Sequence, residues 1–211
     1  MGLSLWLSIV VISLSAAFAV VGAYQRSRFT HYAFKPLTMA LVISLAWDKA
    51  GGSGQPYGYL ILAGLFFGLA GDVALMLPAN RLRQGMAAFG VGHILYGVAF
   101  ALGTKTVSWP ALAVLAAWGT VVWVILRPGL GRLLVPVAAY IAISVLMAWL
   151  ALCRHLTLHE TKSLLGLAGG LLFLFSDSVN GVKRFRKPFR AAEALTLAPY
   201  FAAQLLFALS I

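Results

Sequence analysis

The chain has 211 residues, of which 62% are hydrophobic and only 10% charged, with a net charge of +11 from 16 Lys and Arg against five Asp and Glu. Soluble domains carry about 45–50% apolar and about 25% charged residues, so a soluble globule, a disordered chain and a coiled coil are excluded. With a mean hydropathy of +0.93, the chain reads as an all-α, polytopic membrane bundle. Spanning the hydrocarbon takes about 20 mostly apolar residues. Eight such runs follow one another, at roughly 3–23, 32–47, 57–78, 84–103, 108–126, 131–152, 161–182 and 191–210. The first ends in Ala16-Ala17-Phe18-Ala19, which resembles a signal-peptidase site, but no Lys or Arg precedes it, so it reads as a membrane helix. The second is short, and is either tilted or extended into the preceding loop. The connections are only a few residues long, which leaves a single transmembrane helical domain over 1–211. The runs are continuous rather than alternating, unlike a β-barrel.

The cations lie in the short gaps. The odd-numbered loops hold Arg26, Arg28, Arg81, Arg83, Arg127, Arg132, Lys183, Arg184, Arg186, Lys187 and Arg190; the even-numbered loops hold only Lys49, Lys105, Arg154 and Lys162. The positive-inside rule puts the odd loops in the cytoplasm and, with eight transmembrane helices, both termini outside the cytoplasm. Topology and anionic lipid head groups account for the positive charge, and no nucleic acid is expected as a partner. The single cysteine, Cys153, excludes an intramolecular disulfide and a Cys-based structural zinc site, and reads as a small hydrophobe at a helix end.

An ionisable side chain inside a membrane helix is costly, so each one is a candidate for function. Asp72 sits in the third run, six residues before Pro78, which puts it ~9 Å inside the core at ~1.5 Å rise per residue. Asp177 stands at a similar depth in the seventh run, flanked by Ser176 and Ser178. Lys35 opens the second run, with Thr38 one turn on. His93 lies about nine residues into the fourth, and Glu193 begins the eighth. Asp48 and Glu160 fall in outer loops. Asp177 and Asn180, like His93 and Tyr96, are spaced i, i+3 and share a helix face. Gly68, Gly71 and Gly92 permit close helix approach beside Asp72 and His93. Two inward carboxyls in different surroundings divide into proton donor and acceptor, enough for acid/base hydrolysis without a metal or a nucleophile. There is no Gly-x-Ser-x-Gly, no His-Glu-x-x-His and no phosphate-cradling loop. Gly64 to Asp72 and Gly169 to Asp177 share one spacing, which allows a duplicated four-helix unit; Gly, Leu69/Leu174 and Asp are its only identities.

These residues carry a family resemblance. Lys35-Pro36-Leu37-Thr38-Met39, the Gly-x-x-Gly-Asp-x-x-Leu-Met stretch at 68–76, Phe89-Gly-Val-Gly-His93-Ile-Leu-Tyr96 and Phe173-Leu-Phe-Ser-Asp177-Ser178 resemble, in order and spacing, the signatures of the YhhN-like, or lysoplasmalogenase, family. The resemblance implies hydrolysis of the vinyl ether bond of lysoplasmalogens to a fatty aldehyde and glycerophosphoethanolamine or glycerophosphocholine, with no cofactor and no metal. The partners are then a single-chain ether phospholipid and membrane lipids. Asp72 and Asp177 become the catalytic pair, with Lys35, Thr38, His93, Tyr96, Ser176 and Asn180 in support. The setting is an integral membrane protein of a bacterial inner membrane, with its site in the cytoplasmic half. Two other classes use similar residues: a small proton-coupled carrier built on intramembrane Asp and His, and a non-catalytic lipid-binding membrane protein.

Overall fold

The computed structural model describes residues 2–25, 28–77 and 81–211. It holds eight helices: α1 Gly2–Tyr24, α2 Arg28–Ser53, α3 Pro56–Met76, α4 Leu82–Ala101, α5 Trp109–Leu126, α6 Leu134–Leu158, α7 Thr161–Phe185 and α8 Ala192–Leu209. Between α5 and α6 the chain makes two short 3-10 turns, Arg127–Gly129 and Gly131–Leu133. No strand occurs among the described residues. In an apolar medium the backbone must satisfy its own hydrogen bonds, and helices do so within one segment. Pro56 and Pro110 occupy first turns, where a missing N–H costs nothing.

Among the described residues, seven helices are long and apolar enough to cross a membrane by length and composition. The remaining helix, α2, has 26 residues but carries Lys35, Asp48 and Lys49. Its extent differs from the short run expected at 32–47, because the helix continues through polar flanks at both ends. α6 likewise runs on to Leu158. Asp48 and Arg154, expected in loops, are therefore helical. The Arg154 guanidinium bends back to donate to the Leu102 carbonyl and lies 4.3 Å from the Tyr57 ring centroid. Long cationic side chains reach polar surroundings in this way while their stems stay in apolar ones. Glu160 caps α7 in a capping box with Ser163. Pro78, the expected end of the third run, and Arg26 lie outside the described residues, as does the side chain of Arg28.

Packing contacts run α1–α2–α3–α4–α6–α7–α8 and return from α8 to α1 and α2, while α5 lies against α6 and α7. The closest seam joins α3 to α4. A Cβ on Gly64 would fall 2.3 Å from the Tyr96 ring, and one on Gly71 would fall 2.7 Å from the Phe89 ring. Gly92 returns the approach, its Cβ position 3.2 Å from the Gly64 carbonyl oxygen. Outward faces are apolar, with Trp6, Trp109, Val114 and Val135 each about two-thirds exposed or more. Asp72, His93, Gln204, Thr38 and Ser176 are buried inside. Cys153 is buried on α6, where its Sγ accepts from the Ser108 N–H.

Candidate functional site

A cavity of about 320 Å³ lies inside the bundle, with walls drawn from α2 through α8. Its wall comes from one end of each helix: the start of α2, α4, α6 and α8 and the finish of α3, α5 and α7. It thus occupies the half of the bundle where the cation-rich odd loops turn. Val122, Leu126, Val137, Ile141 and Leu174 supply apolar wall, while Lys35, Asp72 and Asp177 supply charge.

Asp72 stands four residues before the end of α3 and is 1% exposed. The Lys35 ammonium lies 2.9 Å from its Oδ1. The Tyr200 hydroxyl donates to its Oδ2 at 2.6 Å. Residues of α2 and α8 thus converge on a carboxyl carried by α3. This approach depends on small neighbours: a Cβ on Gly68 would lie 2.7 Å from Gln204 Nε2. Tyr200 is in turn packed edge-on against Phe89 and Phe173.

Asp177 on α7 has different company. The Tyr140 hydroxyl donates to its Oδ2 at 2.8 Å, and His93 Nε2 lies 3.2 Å from the same oxygen, off the line of a good hydrogen bond. His93 Nδ1 is 2.6 Å from the Phe89 carbonyl. A carbonyl only accepts, so Nδ1 carries hydrogen and donates. In a neutral ring Nε2 is then a bare acceptor, and it faces a carboxyl oxygen. Asp177, His93 and Tyr140 thus form one polar station beside the cavity, as Lys35, Asp72 and Tyr200 form another. The Phe173 ring joins the two stations, its centroid 4.5 Å from that of His93 and 5.4 Å from that of Tyr200.

Of the residues singled out from sequence, Asp72, Asp177, Lys35, Asn180 and Ser176 line the cavity. His93 stands behind Asp177. Tyr96 and Thr38 lie outside the lining. Tyr96, one turn beyond His93, points away and donates to Gln204 Oε1 at 2.7 Å. Thr38 bonds back to the Phe34 carbonyl and to Ser15 of α1. Ser176 Oγ donates to the Thr196 carbonyl and so ties α7 to α8. Tyr140 and Tyr200 were not among the expected residues, because an isolated Tyr in an apolar run reads as packing. The end of α7 and start of α8 add Lys183, Arg184 and Glu193 to the lining.

The family model of the YhhN family matches residues 30–211. A protein of Escherichia coli O157:H7, named as the uncharacterized membrane protein YhhN, is 32% identical over 208 residues, covering 98% of this chain and 99% of its own length. The human protein named lysoplasmalogenase TMEM86B is 30% identical over 207 residues, covering 97% of this chain and 85% of its own. The Bos taurus protein named lysoplasmalogenase TMEM86A is 31% identical over 161 residues, 74% of this chain and 66% of its own. No solved structure matches. The match begins two residues into α2 and takes in Lys35, Asp72, His93, Tyr140, Asp177 and Tyr200, the side chains described at the two carboxyls, and on that ground the chain belongs to the YhhN family.

Proposed function

We propose that the protein is an integral membrane hydrolase that cleaves the vinyl ether bond of a lysoplasmalogen by two-aspartate acid/base catalysis. The products are a fatty aldehyde and glycerophosphoethanolamine or glycerophosphocholine. One observation carries this reading: two carboxyls line one cavity, and one is paired with an ammonium while the other lies 3.2 Å from an imidazole nitrogen. The names of the human and bovine relatives agree with it.

The chemistry runs as follows. The proton held by Asp177 and His93 passes to the outer alkene carbon, and the alkene electrons form the new C–H bond. The carbon next to oxygen becomes an oxocarbenium ion, which the Asp72 carboxylate stabilises across the cavity. Asp72 then takes a proton from water as the water oxygen bonds to that carbon, giving a hemiacetal. Collapse breaks the bond to the glycerol oxygen, which takes the proton from Asp72. The hemiacetal hydroxyl proton returns to the Asp177–His93 station, and the aldehyde leaves. Tyr200 and Tyr140 hold the two carboxyls in place. The apolar wall receives the hydrocarbon chain.

In this reading residues 1–211 form one transmembrane unit and α2 also spans, since 26 residues extend ~39 Å. Eight spans place both termini outside the cytoplasm. The cavity then lies in the cytoplasmic half of a bacterial inner membrane, because it sits at the end bearing most of the Lys and Arg.

The test is aldehyde release from a lysoplasmalogen by the purified protein in a neutral detergent. Asp72→Asn and Asp177→Asn should each lower turnover by at least about 100-fold, since an amide cannot carry the proton. A wild-type protein that releases no aldehyde would overturn the activity. A folded variant with near-normal turnover would overturn the two-carboxyl mechanism.

A further inference from the structure

The polar end of the cavity has an order of its own. From Asp177, α7 rises ~4.5 Å to Asn180 and ~9 Å to Lys183. Arg184 follows at once, and Glu193 comes from the first turn of α8. All four line the cavity. Lys183 Nζ lies 3.2 Å from Glu193 Oε2, and both side chains keep access to the opening, at 24% and 36% exposure. Deeper in, Lys35 and Asp72 occupy each other. The outer end thus presents two cations and one anion, in a cavity whose inner end holds the carboxyls. Arg81 and Arg83, like Arg127, Arg132, Arg186, Lys187 and Arg190 of the other odd loops, are absent from the cavity lining.

A single-chain glycerophospholipid has matching spacings. Five bonds separate its ether oxygen from phosphorus, about 6 Å at ordinary bond lengths, and four more reach the head-group nitrogen, about 5 Å further. We infer that this end of the cavity reads a zwitterionic head group. Asn180, Lys183 and Arg184 receive the phosphate, and the Glu193 carboxylate, held by Lys183, receives the ammonium. Glu193 is then the residue that separates ethanolamine or choline lipids from lipids whose head group has no positive charge. The inference rests on the functional reading above, that the cavity takes a single-chain ether phospholipid.

Three vinyl ether lysolipids with the same chain and the same phosphodiester, bearing ethanolamine, choline or glycerol, isolate the ammonium. The wild-type protein should show a lower KM for the first two than for the glycerol lipid. Glu193→Gln should narrow that preference at least about threefold, chiefly through KM, the effect of one partly exposed charge. Lys183→Met should lower kcat/KM on all three. A Lys183–Glu193 contact that merely ties α7 to α8 would change stability and shift all three lipids by one factor. Soluble competitors give a second reading that needs no variant: glycerophosphoethanolamine should inhibit the wild-type protein more strongly than glycerophosphoglycerol. Equal inhibition, or a Glu193→Gln protein with unchanged preference, overturns the head-group assignment while aldehyde release leaves the hydrolase reading standing. Release from none of the three lipids overturns the hydrolase reading itself.

Discussion

Lys35 brings an ammonium to within 2.9 Å of Asp72, where Tyr140 brings a phenol to within 2.8 Å of Asp177. Both stand 37 residues before the aspartate they reach. Each carboxyl also accepts from one phenol, Tyr200 or Tyr140, so the difference between them lies in Lys35 beside the one and His93 beside the other. An ion pair with side chains 11% and 1% exposed has a measurable consequence. Removing one partner leaves a buried charge uncompensated, which costs about 3–5 kcal/mol. Lys35→Met should accordingly lower the melting temperature in detergent. Adding Asp72→Asn to it should recover much of that stability without restoring turnover. If Lys35→Met melts with the wild type, the ammonium does not hold the bundle together at this point.

Among the elements, α3 and α4 depend on glycine rather than on apolar area at their seam. Gly64→Ala would drive a Cβ into the Tyr96 ring, which is buried and held at its hydroxyl by Gln204. Overpacking of this kind costs about 1–3 kcal/mol. Gly51→Ala, with nothing within 4 Å of the new carbon, should leave the melting temperature unchanged or raise it. Equal melting of the two variants would remove the seam from the account. The helices themselves were legible in the sequence because long apolar runs admit few alternatives. Their ends were not, as α2 and α6 show, because helices continue past the hydrocarbon where Asp48 and Arg154 reach polar surroundings. Asp72, Lys35, Asp177 and His93 were legible because charge in an apolar run is rare. Tyr140 and Tyr200 were not, because what gives a phenol its role is a partner 37 or 128 residues away. Tyr96 was expected in support by helix spacing from His93, and Thr38 by the resemblance, but spacing and motif fix only position along the chain, and the partners Gln204 and Ser15 draw them elsewhere.

For the molecule as a whole, polarity is inverted relative to a water-soluble protein: Trp and Val face out, while Asp, His and Gln face in. The proposed eight spans with cation-rich odd loops give a definite arrangement. A C-terminal reporter that is active only in the cytoplasm should be silent, and one inserted between α7 and α8 should be active. A signal from the C-terminal fusion would invert the arrangement and move the cavity to the opposite leaflet. The equal spacing of Lys35 from Asp72 and of Tyr140 from Asp177 has a further consequence when set beside the remaining partners. The same shift along the chain carries Gly64 onto Gly169, and each glycine seats an aromatic ring of the next helix, Tyr96 or Phe207. Yet neither half keeps its own carboxyl station complete. Asp72 draws Tyr200 from the second half, and Asp177 draws His93 from the first. Cutting the chain in the 102–108 connection, between two four-helix fragments, should therefore give pieces that are each inert. Inserted together in one membrane, they should complement and recover aldehyde release, so that the catalytic unit is in effect a heterodimer whose subunits are joined by a short tether.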